Sequence, residues 1–259
     1  MDETAHLSVV NKFYDGVLFG QKNRYFDALG FCNVGYWKGI NTHSLEIAQI
    51  NLIETLTSFF VNRDGNVLDV ACGLGSSSRY LTKLFAMRKI TGINISERQL
   101  EVCKSVAPEC NFKLMDASKL EFSESTIDNI LCIEAACHFM TRRDFFAEAY
   151  RVLRNGGRLA MSDALFEKHA TINVPALCVE NYLPDLDAYR DSMLSVGFKH
   201  VRVEDSTEHS IDRFHDYEMR RREKEFERTH DYCSLDEITM LTRSRSCGGK
   251  TWCMVYAIK

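Results

Sequence analysis

The stretch Val67-Leu68-Asp69-Val70-Ala71-Cys72-Gly73-Leu74-Gly75-Ser76 decides the fold. It reads as an apolar strand, a glycine turn, and a helix that begins near Ser76–Ser78. Glycine lacks a Cβ, so at Gly73 and Gly75 the backbone can bend sharply and a ligand can lie against it. Asp69, at the carboxyl end of the strand, is expected to hold its carboxylate over that turn. Turns of this kind, at the edge of a parallel sheet, bind nucleotides. The turn alone does not say which nucleotide.

The residues that follow say it by their order. Lys89–Ser96 reads as a second buried strand, and Ser96 is placed to cap a helix over Glu97–Ala107. Asn111–Ala117 reads as a third strand ending in the carboxylate of Asp116. Ile127–Ile133 is a fourth, followed by Glu134-Ala135-Ala136-Cys137-His138-Phe139. An amphipathic helix over Arg143–Leu153, the turn Arg154-Asn155-Gly156-Gly157 and a fifth strand over Arg158–Asp163 complete the run. Strands that alternate with helices of this length imply crossover connections and a parallel sheet. Asp69, Asn94, Asp116 and Ile133–Glu134 all fall at strand carboxyl ends, the edge where such sheets bind ligands.

This ordered set resembles the class I S-adenosylmethionine-dependent methyltransferases over roughly residues 64–205 and the last strand. The resemblance implies an α/β fold with a doubly wound, seven-stranded, mostly parallel sheet, its last strand antiparallel, beneath a helical substrate cap. It implies S-adenosyl-L-methionine as cofactor, held by Asp69, Ala71, Gly73, Gly75, Asn94, Gln99, Asp116, Ala117 and Ile133, with Tyr14 offering an aromatic face to the sulfonium. Asn94 is matched to the ribose hydroxyls, Asp116 and Ala117 to adenine, and the Ile133 carbonyl to the methionine amine. Ala71 stands where the family usually has a glycine, which is tolerable if its φ stays negative. Asn94 replaces the usual carboxylate and loses a charge-assisted bond. Asn155 replaces a proline.

Asn33-Val34-Gly35-Tyr36-Trp37 and the Glu134–Phe139 segment resemble the methyltransferases of small molecules, which act on natural products, sugars and sterols. Residues 1–64 are read as an N-terminal helical cap, with helices over Leu7–Phe19 and Leu45–Phe60. Residues 65–259 are read as the core, closed by strands over Phe198–Asp205 and Thr251–Ile258, with a further cap insertion at about 209–249. Tyr36, Trp37 and His138 are the candidate substrate contacts. His138 is the candidate general base, because an imidazole is mostly neutral near pH 7, and Glu134 is the second choice. The favoured reaction is methylation of a hydroxyl on a polyketide, peptide or sugar. An N- or C-methyltransferase of a small metabolite or lipid, and a non-catalytic cofactor-binding relative, stay open.

The rest of the sequence bounds these readings. A chain of 259 residues with 45% hydrophobic composition can bury one full core. The acidic start carries no apolar export signal, and no apolar run is long enough to span a membrane, so a cytoplasmic protein is expected. Ten scattered cysteines without a Cys-x-x-Cys pair point to reduced thiols and no metal site. A net charge of −4 argues against nucleic-acid partners and leaves a small-molecule acceptor as the expected one. Arg220-Arg221-Arg222 with Lys224 is read as the solvated face of a mixed-charge helix, a phosphate or carboxylate anchor for the substrate being the alternative. The acceptor itself and the oligomeric state are not legible.

Overall fold

The computed structural model describes residues 3–19, 30–173, 176–230 and 249–259. Seven strands form one sheet in the order β3-β2-β1-β4-β5-β7-β6. They are β1 (Val67–Val70), β2 (Ile90–Asn94), β3 (Asn111–Leu114), β4 (Ile127–Ile133), β5 (Leu153–Phe166), β6 (His200–Asp205) and β7 (Gly249–Ile258). β1 to β5 pair in parallel, whereas β7 runs antiparallel between β5 and β6. Strand order reverses between β1 and β4, which opens a crevice at their carboxyl ends.

β1 is buried at all four positions, as a parallel strand covered on both faces must be. Its side chains alternate between two cores. Leu68 and Val70 join Ile130, Cys132 and Met161 against Phe145, Phe146 and Val152 of helix α5 (Arg142–Val152). Val67 joins Leu131, Ala160 and Met254 against Leu52, Ile53 and Leu56 of helix α2 (Leu45–Thr57). Helices therefore cover both faces, and the doubly wound α/β sheet is the observed fold. The helices start where capping chemistry puts them: Ser44, Ser96, Thr141 and Asp185 each accept a backbone N–H of the helix that follows.

Several boundaries differ from the sequence expectation. β3 stops at Leu114, so Asp116 and Ala117 lie in the following loop. β5 begins at Leu153 rather than Arg158, because Leu153 already pairs with Ile127 before an irregularity in the register. The N-terminal helix α1 spans Glu3–Phe19 and begins earlier than Leu7. After helices α6 (Lys168–Asn173) and α7 (Leu186–Ser195), helix α8 (Arg213–Thr229) occupies the start of the second cap segment, whose residues 231–248 lie outside the described ones.

Candidate active site

The register of the sheet brings the decisive residues to one level. Val70 stands opposite Ile93 on one side and Cys132 on the other, and Asn94 stands opposite Leu114. The next residues, Ala71, Met115 and Ile133, therefore ring the crevice. A cleft opens there, lined mostly by apolar side chains with a few polar groups among them, as small-molecule sites are. Ala71, Gly73, Asn94, Gln99, Asp116, Ala117, Ile133, Glu134, His138 and Tyr14 all line it.

The glycine turn fits a flat ligand. Gly73 has φ +55°, and a Cβ built there would meet nothing within 4 Å, so a side chain would project into the cleft. Gly75, at φ +85°, is instead pressed onto Cys103 of helix α4 (Glu97–Val106), 3.1 Å from where its Cβ would be. It is a packing glycine and does not line the cleft. Ala71 departs from expectation, since its φ is +55° rather than negative. Glu134 is held at φ +50°. Two non-glycine residues in the left-handed region, both lining one cleft, mark stored strain of the kind that clusters at functional sites.

Asp69 also departs from expectation. Its carboxylate does not line the cleft but accepts the hydroxyls of Ser77 and Ser78 at 2.7 and 2.6 Å. Burial pushes it up to about 6, and the two serines pull against that shift. It ties β1 to the first turn of helix α3 (Ser76–Leu81) from behind the turn.

Further along the cleft, Asn94 donates to Gln99 Oε1 at 3.0 Å and accepts the Ser96 amide at 3.0 Å. Gln99 Nε2 and Ser96 Oγ both donate to Asp15 Oδ1, at 2.8 and 3.0 Å. Asn11 donates to the Ile95 carbonyl at 2.8 Å. Asn11 and Asp15, which the sequence reading passed over, thus fasten α1 to the end of β2. Asp116 uses Oδ1 to accept the Ser118 amide at 2.8 Å, while its buried Oδ2 has no partner among the described residues. A buried carboxylate oxygen without a donor fits an exocyclic amine, and the open face at Gly73 fits the rest of a nucleoside.

At the far end stands His138, on the 3-10 turn Ala136–His138. Its Nδ1 lies 2.8 Å from the Ala176 carbonyl, which can only accept, so Nδ1 carries the proton. Nε2 is then the acceptor, and Tyr14 Oη donates to it at 2.6 Å. Desolvation lowers His138 below its ordinary value, which favours the neutral ring. Tyr14 is pushed well up by the same burial. Glu134 accepts the Val34 amide at 3.1 Å, and burial pushes its carboxyl up to about 8.

Leu7, Val10 and Leu18 of α1 add an apolar wall. With Tyr14 they form an i, i+3, i+7, i+11 stripe along one face of the helix. Tyr36 and Trp37, the expected substrate contacts, do not line this cleft. Tyr36 packs in the core with Phe31 and Leu52, and Trp37 in a separate cluster with Leu45 and Phe214. The described residues of the second cap segment are likewise absent from the lining. Among the described residues no group of three or more His, Cys, Asp or Glu side chains is placed to hold a metal, and no helix is long and apolar enough to cross a membrane.

Residues 68–161 match the family model of the methyltransferase domain. The O-methyltransferase cnsE of Penicillium expansum is 30% identical over 192 residues, 69% of either chain. The erythromycin 3''-O-methyltransferase of Saccharopolyspora erythraea is 27% identical over 217 residues, covering 75% of this chain and 70% of the relative. Among solved structures, the cyclopropane synthase MmaA2 of Mycobacterium tuberculosis superposes with a TM-score of 0.75 at 17% identity, over 98% of both chains.

Proposed function

Because this chain belongs to the class I S-adenosylmethionine-dependent methyltransferases of small molecules, we propose that it methylates a hydroxyl group of a natural product, a polyketide, peptide or sugar. The observation that carries the reading is the pairing of Tyr14 with a neutral His138 at the end of the cleft. A hydroxyl acceptor must lose its proton as the new bond forms, whereas many nitrogen and carbon acceptors need no early base. Two relatives named for O-methylation support the same choice.

S-adenosylmethionine, when bound, supplies a methyl group already activated on a sulfonium. The chain's own task is to hold the acceptor in line, to exclude water and to take one proton. The acceptor hydroxyl donates to Tyr14 Oη while the Tyr14 proton passes to His138 Nε2. The raised pKa of Tyr14 disfavours a free phenolate, so both transfers occur together. His138 ends as imidazolium, its Nδ1–H still held by Ala176.

The lining of the cleft supports the remaining roles. Asp116 Oδ2 takes the adenine amine, with the Ala117 amide beside it, and Asn94 and Gln99 take the ribose. The Ile133 carbonyl and Glu134 take the methionine ammonium, and Ala71 and Gly73 give the backbone its close approach. Residues 1–64 serve as cap through α1, which closes one wall. Transfer to carbon of an apolar lipid is the second reading, favoured by the apolar wall of Leu7, Val10, Leu18 and Met115. The test is a panel of hydroxyl, amine and alkene acceptors incubated with S-adenosylmethionine, with the methylated atom located by mass spectrometry and NMR. Methyl found on oxygen supports the proposal. Methyl found only on nitrogen or carbon overturns it.

A further inference from the structure

A second cleft lies between residues 37–43 and helix α8, and shares no lining residue with the first. Trp37 and Tyr217 form its apolar side, with ring centroids 5.8 Å apart. Arg213, Arg220, Arg221 and Lys224 of α8 supply its charge. The spacing from 213 through 217, 220, 221 and 224 is that of one helix face. The helix as a whole mixes charges, but the fold sorts them. Glu223, Glu225 and Glu227 are not among the lining residues, and Asp216 is the one carboxylate that is.

Arg221 is committed to Glu218, 2.8 Å away. Arg213, Arg220 and Lys224 make no ion pair with a described residue. On a chain of net charge −4, three cations without an ion pair among the described residues, beside two aromatic rings, are a local reversal of sign. Guanidinium groups match phosphate, sulfate and carboxylate geometry, and aromatic rings match a flat ring. Neither half alone asks for a ligand, but a concave site holding both does.

We propose that this cleft is a second binding site, for a ligand in which a flat ring carries a phosphate, sulfate or carboxylate group. The site stands apart from the methyl-transfer cleft, so the proposal does not depend on which atom is methylated. Trp37 also links the two sites physically. Its indole N–H donates to the Val34 carbonyl at 3.1 Å, and the Val34 amide donates to Glu134 in the first cleft.

Calorimetric titration of the full chain with 1-naphthyl phosphate, in the presence of saturating S-adenosylhomocysteine, tests the proposal. One equivalent should bind, while 1-naphthol and inorganic phosphate, each carrying half of the recognition, should bind at least about tenfold more weakly. The double variant Arg220→Gln/Lys224→Gln, both positions being exposed, should keep its melting temperature and lose at least about tenfold in affinity. In a Trp252→Phe background, which leaves Trp37 as the only tryptophan, the ligand should change the emission in proportion to occupancy. Absence of binding, binding unaffected by the double variant, or equal binding of 1-naphthol would each overturn the assignment.

Discussion

The guanidinium of Arg142 meets the carboxylate of Asp163 at 2.7 Å, with neither side chain more than 5% exposed. Around this pair the backbone that carries His138 is fixed. Asp163 accepts the Cys137 amide at 3.0 Å and the Tyr189 hydroxyl at 2.9 Å. Arg142 Nη1 donates to the Asn181 carbonyl at 2.5 Å, and Asn181 Nδ2 returns to the carbonyls of Ala136 and Cys137 at 2.9 and 3.0 Å. The ion pair thus connects the two segments that hold His138, its own turn and the one that carries Ala176. Neither partner touches the cleft. Both are positioning residues.

Removing one partner of a buried pair leaves the other charge without compensation, at about 3–5 kcal/mol. Arg142→Ala should therefore lower the melting temperature by on the order of 10 °C in a domain of this size. Scanning calorimetry checks this. A loss under about 3 °C would show that Asp163 is satisfied by its other donors, Cys137, Ala164 and Tyr189.

Gly73 gives the sharpest test of where the cofactor lies. The site for its missing Cβ is open space in the cleft. In the wild type, S-adenosylmethionine at ~100 times its dissociation constant adds about 2.7 kcal/mol, a rise of roughly 5–10 °C in melting temperature. Gly73→Val should abolish that rise by filling the space, and NAD or ATP should give little with either protein. A Gly73→Val protein that keeps the full rise would place the cofactor elsewhere.

Glu134 should make cofactor affinity depend on pH. Burial raises its carboxyl to about 8 in the empty protein, so at pH 7 most of it is protonated. A cationic ligand favours the carboxylate, so binding should release a proton below pH 8, and affinity should rise with pH until it flattens above about 8. The sign for stability is the opposite. The folded pKa lies above the ordinary 4.5, so the native state holds the extra proton, and this group's contribution to stability falls as pH rises from 4.5 to about 8. Calorimetry in buffers of different ionisation enthalpy measures the released proton. Glu134→Gln should release none and should bind with a flat pH profile. A wild type without proton release would remove Glu134 from the ammonium site.

Much of this architecture is legible in the sequence because parallel strands advertise themselves. Val67–Val70 and Ile127–Ile133 are mostly apolar and of strand length, and the glycine turn between β1 and α3 has no economical alternative reading. Residues whose role depends on local backbone, Gly73, Asn94, Asp116 and Ile133, come together at one edge. What is not legible depends on direction. Asp69 sits beside the turn in sequence, yet strand geometry points its carboxylate back to Ser77 and Ser78. Gly75 and Gly73 look alike in sequence, yet one faces Cys103 and the other the cleft. The aromatic pair Tyr36-Trp37 is drawn into packing with α2 and α8, while the apolar stripe of α1, within the segment read as a cap, forms a wall of the site. The left-handed φ of Ala71 has no signature in composition at all.

In the proposed reaction His138 takes the acceptor's proton through Tyr14. The measurement that tests it most directly is the pH dependence of the single-turnover methyl-transfer rate at saturating cofactor, where the titration of Glu134 no longer contributes. Desolvation holds His138 below its ordinary 6.5, so the wild-type rate should rise with pH through an inflection below that value and then level off. His138→Ala should bind cofactor as the wild type does, turn over ~10²–10⁴-fold more slowly, and show no inflection. Tyr14→Phe should slow the reaction while keeping the inflection, since the imidazole remains. A His138→Ala protein that retains more than about a tenth of the rate, with the wild-type pH profile, would rule out proton transfer to His138.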